Sequence, residues 1–572
     1  MIFARRALLA LLAWLALALP AAPQLLDVAP APRARALPVA AHNGMVVAQE
    51  ARAARIGVEV LRQGGNAVDA AVAVGFALAV TYPRAGNLGG GGYMVIHLAG
   101  PPLDTTIDYR ETAPAAITRD SFLDERGEAD AGKSRDSALA IGVPGTVAGL
   151  TLAHARYGSG RMRLAELLAP AIALAREGFP IADDLADSLP RSRARLARWP
   201  STAKILLSDG LPAPGTVLRQ ADLAETLTAI AREGPAAFYE GAIAERIVAA
   251  VRDAGGVMTR EDLKAYRPIE RPPLLGSYRG YEIVAMPPSS SGGVLLIEML
   301  NILEGWRDLD EDAVRRAHRT IEAMKLAYAD RAAFLGDPAV VEVPLARLLS
   351  KSYAAELRGR ITERARPASE IGPGGRSPRE GDNTTHFSVI DRFGNSVANT
   401  YTLNFSYGVG LIAEGTGVLL NNELDDFAAK PGAPNAYGLT GGDANAPGGG
   451  KRPLSSMTPT IVLKDGKPFL VTGSPGGSRI ITTVLQVISN VIDRHMTVAD
   501  AVSEPRMHDQ WLPDEVAVEA GFSPELARAL AARGHRIVEA PPGTSANSIE
   551  VTPDGFIGAA DNRTRGALAA GY

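Results

Sequence analysis

The 572-residue chain contains no cysteine. That single absence removes disulfides, thiolate nucleophiles, zinc-thiolate sites and lipidation at a processing-site cysteine. Aromatic residues make up only 5%, and the eight histidines, at 42, 97, 154, 318, 386, 495, 508 and 535, are scattered with no pair at metal-ligand spacing. No H-E-x-x-H zinc helix and no G-x-S-x-G nucleophile elbow occurs. A net charge of −4 gives no clustered basic surface for nucleic acid. A cysteine hydrolase is therefore excluded, a metal or Ser-His-Asp mechanism is weakened, a Ser or Thr nucleophile would need another base, and no cofactor is expected.

The N-terminus reads as a signal peptide over residues 1–22. Arg5 and Arg6 precede an apolar run from Ala7 to Leu19, which ends in Pro20-Ala21-Ala22, a small-residue exit suited to cleavage. The run is short of the roughly 20 residues a membrane span needs, so an exported, periplasmic or secreted protein without a stable anchor is expected. Residues 23–40, rich in Ala, Pro and Arg, look like a linker.

From Met45 the pattern reads as helical, and the Ala/Val-rich segment 67–80 reads as a buried helix stopped at Pro83. The run Gly89 to Gly92 before the strand-like Tyr93 to His97 implies close backbone approach. Thr105 to Thr112 alternates like a strand and carries Arg110 near its end. Gly127 to Ser134 matches the phosphate-loop pattern, but it lacks the preceding strand and carries two acids, so it reads as a surface loop. Helices are expected at 165–176, 221–232, 236–254, 311–334, 478–493 and 523–533. The loop Pro287 to Gly293 leads into a helix at 294–303, where its serines would cap or hold an anion. Strand pairs are expected at 386–391 with 396–403, at 459–464 with 468–473, and at 547–552 with 556–559. Strand pairs with one face under helices imply an α+β arrangement layered helix, sheet, sheet, helix.

The chemistry centres on Thr384-Thr385-His386-Phe387-Ser388-Val389. A threonine at a new N-terminus carries its own base, because an α-amine with a pKa of about 7.7–8.0 can take the hydroxyl proton at neutral pH. This stretch is followed by Thr402-Leu403-Asn404, by Asn421-Asn422-Glu423-Leu424-Asp425-Asp426, by Ser455-Ser456 and by Gly476-Gly477. Together with Gly86 to Gly92, the Arg110 strand, Ile141 to Thr146 and Pro287 to Gly293, the order resembles the gamma-glutamyltransferase family of N-terminal nucleophile hydrolases, over roughly residues 40–572.

The resemblance implies a four-layer αββα sandwich and a precursor that cuts itself at Asn383–Thr384. The products would be a large subunit, 41–383, and a small one, 384–572, with Thr384 at its head. It implies Thr384 as nucleophile and base, oriented by Thr402, with Gly476 and Gly477 as the oxyanion hole. Arg110, Ser455 and Ser456 would hold the α-carboxylate of a γ-glutamyl group, and Asn404, Glu423 and Asp426 its α-ammonium. Residues 431–450, with Tyr437, resemble a lid. The implied donor is glutathione or a related compound, passed to water, amino acids or dipeptides. Asn383 departs from the Gln found there in some relatives. Alternatives with the same fold are a glutaryl-cephalosporin acylase and a poly-γ-glutamate depolymerase. An uncleaved exported solute-binding protein is an alternative of another class.

Overall fold

The computed structural model describes residues 35–207, 210–372, 384–435, 438–541 and 543–572. The expected signal peptide, most of the linker, Asn383 and Tyr437 lie outside these residues. Among the described residues no helix is long and apolar enough to cross a membrane.

Two seven-stranded sheets form the centre. One has the strands Leu568–Gly571, Gly44–Ala48, Thr385–Asp391, Ser396–Thr402, Gly91–Ala99, Pro102–Tyr109 and Ile269–Arg271 in spatial order, and the neighbouring pairs are antiparallel. The other runs Val39–Ala41, Gly555–Ala560, Asn547–Thr552, Lys467–Thr472, Thr460–Lys464, Tyr281–Ala285 and Leu274–Tyr278. The two-residue alternation of a strand explains how both faces of the first sheet are used. Val46, Ala48, Met94, Ile96, Phe387 and Val389 pack with the helices Ala51–Arg62, Ala67–Thr81 and Thr146–Tyr157. Met45, Val47, Tyr93, Val95, Ile390 and Ala398 face Ile461, Leu470, Val471 and Ile549 of the second sheet. The helices Gly292–Glu304, Ala313–Phe334 and Arg479–Ile492 belong to that second cluster. The result is the helix, sheet, sheet, helix sandwich of the N-terminal nucleophile hydrolases.

The expected helix at 67–80 is present and wholly buried, as Ala67–Thr81. The three expected strand pairs are present within a residue or two. Several local readings need correction. The segment after Met45 is first a strand, Gly44–Ala48, and the helix begins only at Ala51, because Glu50 caps the N–H groups of Arg52 and Ala53. The helix expected at 236–254 is two, Ala236–Tyr239 and Ala242–Asp253, separated at Gly241. The end of the linker is a strand, Val39–Ala41, paired with Phe556 to Gly558. The helix Asp183–Leu196 was not expected, and it contains Pro190.

The glycine run proves to be a packing device. A Cβ on Gly90 would lie 2.1 Å from the Thr402 carbonyl oxygen and 2.8 Å from Asn87 Oδ1. Asn87 in turn donates to that same Thr402 carbonyl at 2.8 Å and accepts from Gly90 N–H at 2.9 Å. The run thus lets the end of the Thr402 strand settle against the chain beside it. Gly90→Ala is expected to destabilise the protein by about 3 kcal/mol or more, since the clash is with backbone that cannot rotate away. Thermal unfolding checks this, and an unchanged melting temperature would contradict it.

Candidate active site

Thr384 opens the strand Thr385–Asp391 at the centre of the first sheet, and its side chain is 7% exposed. Its hydroxyl lies 3.4 Å from the Thr402 hydroxyl, at the end of the antiparallel neighbour strand. Thr402 Oγ1 also accepts the Asn404 N–H at 2.8 Å, where the chain turns with Asn404 at φ +72°. That turn aims Asn404 Nδ2 at the Asn422 carbonyl at 2.9 Å.

A cavity of about 20 Å³ is lined by Arg110, Thr384, Thr402, Asn404, Glu423, Asp426, Leu439, Ser455, Ser456, Met457, Gly477, Ser478 and Ile480. All but two of the residues expected to act on substrate therefore meet there. Gly476 lies next to it in the chain. Tyr437 falls outside the described residues, although the loop that carries it reaches the cavity through Leu439. On its other side Thr384 borders a larger cleft of about 810 Å³, lined also by Phe405, Pro475, Thr544 and several arginines. The threonine thus borders both a small pocket and a larger cleft.

Gly476 and Gly477 have φ +130° and +53° and lead directly into the helix Arg479–Ile492. A Cβ on Gly476 would meet Thr544 Cγ2 at 2.4 Å, so the bend requires glycine on both counts. Among the described residues neither glycine's N–H has a hydrogen-bond partner. Two N–H groups at the positive end of a helix are suited to a developing oxyanion.

Arg110 follows the strand Pro102–Tyr109 and is fully buried, not a surface ion pair. Its Nη1 and Nη2 pair with Glu423 and Asp426, and its Nε donates to the Pro453 carbonyl at 3.1 Å. The charges that were expected to face opposite ends of one ligand are here partners of each other. Burial works against the guanidinium's charge, but Glu423 and Asp426 outweigh it and hold its pKa well above the usual range. Burial raises Glu423 and Asp426, against the pull of Arg110.

Ser455 and Ser456 occupy an extended segment, not a helix cap. Ser455 Oγ accepts from the Met457 N–H at 3.1 Å, and Ser456 Oγ accepts from Arg331 Nη2 at 3.4 Å. Neither hydroxyl donates to a described residue. The Pro287 to Gly293 loop lies behind them, with Ser291 Oγ donating to the Ser455 carbonyl at 2.6 Å.

Sequence reasoning missed three residues that shape this site. Asn421 accepts the N–H groups of Gly142 and Glu423 and donates to the carbonyls of Gly89 and Gly142, which fixes the turn that carries both acids. Its only signal was its place in the Asn421 to Asp426 run. Arg331 sits in a long helix, where an arginine at that position carries no local signal. Glu111 is fully buried with no partner for either oxygen, 3.9 Å from Arg110 Nη1. Asp425, by contrast, accepts Ser134 Oγ and ties the Gly127 to Ser134 loop to the turn. The segment read as a surface loop is thus anchored at its end, where Ser134 is buried.

The helix, sheet, sheet, helix sandwich is that of the N-terminal nucleophile hydrolases. The chain matches the gamma-glutamyltranspeptidase family over residues 53–571 and belongs to it. It is 52% identical over 542 residues to the glutathione hydrolase proenzyme of Escherichia coli K12, covering 94% of this chain and 93% of that protein. It is 46% identical over 551 residues to the glutathione hydrolase proenzyme of Pseudomonas sp. strain A14, covering 94% and 95%. Among solved structures, cephalosporin acylase from Bacillus halodurans superposes with a TM-score of 0.82 at 28% identity, covering 97% of this chain and 99% of that one. The protein is an enzyme of this family.

Burial pushes the Glu111 carboxyl up to about 7. The folded state then binds this proton more tightly than the unfolded state. The associated stability is complete below the ordinary carboxyl range and is lost as pH rises through about 7. Glu111→Gln removes that loss, so its melting temperature relative to wild type should rise between pH 5 and pH 8, by the equivalent of up to about 3 kcal/mol. A difference that does not change with pH would refute the assignment.

Proposed function

We propose that Thr384 is the nucleophile of a self-processed γ-glutamyl hydrolase and transferase. One observation carries this reading: a single small pocket places the Thr384 hydroxyl beside a buried guanidinium, two serine hydroxyls, two carboxylates and Asn404. An amino-acid head group carries both signs of charge and matches such a lining.

In the first reaction the Thr384 hydroxyl attacks the carbonyl of residue 383. The peptide C–N bond breaks, the amine of Thr384 gains a proton, and the resulting ester is opened by water. In the second, the freed α-amine takes the Thr384 hydroxyl proton as the oxygen attacks the γ-carbonyl of the donor. Gly476 and Gly477 N–H groups face the oxyanion, and Thr402 holds the attacking oxygen in line. The leaving amine receives the proton, and a γ-glutamyl ester remains on Thr384. Water or an acceptor amine arriving through the larger cleft then releases it. Ser455 and Ser456, with Arg110, orient the α-carboxylate, while Asn404, Glu423 and Asp426 orient the α-ammonium. Glutathione is the proposed donor, in keeping with the hydrolase relatives, and amino acids or dipeptides are the proposed acceptors.

The acylase reading has support from the superposed structure, but a glutaryl group has no ammonium for Asp426 and Glu423. A poly-γ-glutamate depolymerase needs an open groove. Here Leu439 closes on the pocket, and Asn435 of the same loop donates to Asp426 at 3.5 Å. The N-terminal leader supports action outside the cytoplasm.

Thr384→Ala should abolish cleavage and lower turnover by about a thousandfold or more. A denaturing gel would then show one band near the full-chain mass of 59.9 kDa, in place of two fragments. Cleavage persisting in the variant would remove Thr384 from its role. The purified enzyme should hydrolyse a γ-glutamyl anilide faster than the glutaryl anilide by about tenfold or more, the value of one charged contact. A preference for glutaryl would favour the acylase.

A further inference from the structure

Arg331 is 4% exposed near the end of the helix Ala313–Phe334, and among the described residues no carboxylate forms an ion pair with it. Its two hydrogen bonds go to hydroxyls: Nε donates to Ser291 Oγ at 3.0 Å and Nη2 to Ser456 Oγ at 3.4 Å. A guanidinium removed from water without a directly bonded counter-ion is expensive, and two hydroxyl contacts do not neutralise it; Asp426, which pairs with Arg110, acts on it only through space. Burial lowers its pKa to about 10, which leaves it charged at neutral pH.

The two contacts have a direction. Ser291 passes its own proton to the Ser455 carbonyl at 2.6 Å, and its N–H donates there as well at 2.8 Å. Arg331 therefore braces the Ser455-Ser456 segment through Ser291. On Ser456 it occupies a lone pair of the hydroxyl, so the hydroxyl proton is turned outward, into the pocket that Ser456 lines. Ser455 is set in the same way by the Met457 N–H. Two hydroxyls that accept from within and donate outward, with a positive charge behind one of them, make a receptor for an anion. Arg110, the other guanidinium of the pocket, is already engaged by Glu423 and Asp426.

We propose that Arg331 is the positioning residue of the carboxylate end of the pocket: it orients Ser456 and supplies the positive charge that the α-carboxylate of an amino-acid head group meets there. This rests on the γ-glutamyl reading of the site and adds to it a residue that need not touch the ligand.

The test compares two donors, γ-glutamyl 4-nitroanilide and the analogue whose α-carboxylate is a carboxamide. Wild type should favour the carboxylate. In Arg331→Gln the KM for the carboxylate donor should rise about tenfold or more with kcat changed less than about threefold, because a charge-assisted contact is weakened while Thr384 is untouched. The carboxamide donor should be little affected, so the preference collapses. Ser291→Ala, which frees one anchor of the guanidinium, should reduce the preference several-fold in a protein that keeps the whole charge, and it serves if Arg331→Gln is not processed into two fragments. Ser456→Ala combined with Arg331→Gln should be no worse than the poorer single variant, since both act through one hydroxyl. A preference that survives in both Arg331→Gln and Ser291→Ala, or an equal loss on both donors, overturns the proposal. Wild type with no γ-glutamyl turnover would overturn the underlying function itself, so the two failures are distinguishable.

Discussion

The contact on which the rest depends is the buried ion pairing of Arg110 with Glu423 and Asp426. It joins a strand end that precedes Thr384 in the chain to a turn that follows it. Leaving one such partner uncompensated in a low-dielectric interior costs about 3–5 kcal/mol, so the two regions are fastened in register whether or not the chain between them is continuous. The sheets repeat this arrangement on a larger scale. Thr385–Asp391 lies between Gly44–Ala48 and Ser396–Thr402, and the latter pairs in turn with Gly91–Ala99. A cut before Thr384 therefore separates no layer from another. It frees only the end of a strand that is paired on both sides.

This construction explains why so much of the site could be read from the chain. Thr384 and Arg110 sit at strand ends, Glu423 and Asp426 in a tight turn, and Ser455 and Ser456 in an extended segment, all within the motifs that carry the family resemblance. Gly89 to Gly92 signalled close approach, and the clash distances at Gly90 show what approaches. The layering followed from strand pairs with one face under helices. What escaped were features decided by distant neighbours. Gly44–Ala48 has no alternation to betray it, because one of its faces meets helices and the other meets a second sheet, so every position is apolar or small. The helix Asp183–Leu196 was also missed, and tertiary packing retains it despite Pro190.

The side chains missed at the site share one cause. Arg331 and Glu111 are ordinary residues in sequence, and only the fold removes them from water. Asn421 belongs to the same set, since three of its four hydrogen bonds reach backbone groups far away in the chain. A buried polar group draws its meaning from partners that a local pattern does not contain.

The charge balance of the pocket connects these residues to specificity. Arg110 and Arg331 carry two positive charges, while Glu423, Asp426 and Glu111 offer three negative ones. Burial raises all three carboxyls against the pull of Arg110, so a proton retained within the group would bring it to balance. A head group with one carboxylate and one ammonium preserves that balance, and its two ends can take over the contacts that the pocket's own charges now make with each other. A head group with a carboxylate alone adds an uncompensated negative charge to a place where desolvation already disfavours charge. Under the proposed γ-glutamyl reading, discrimination between the two would then need no steric barrier, because the buried charges themselves would favour a zwitterion.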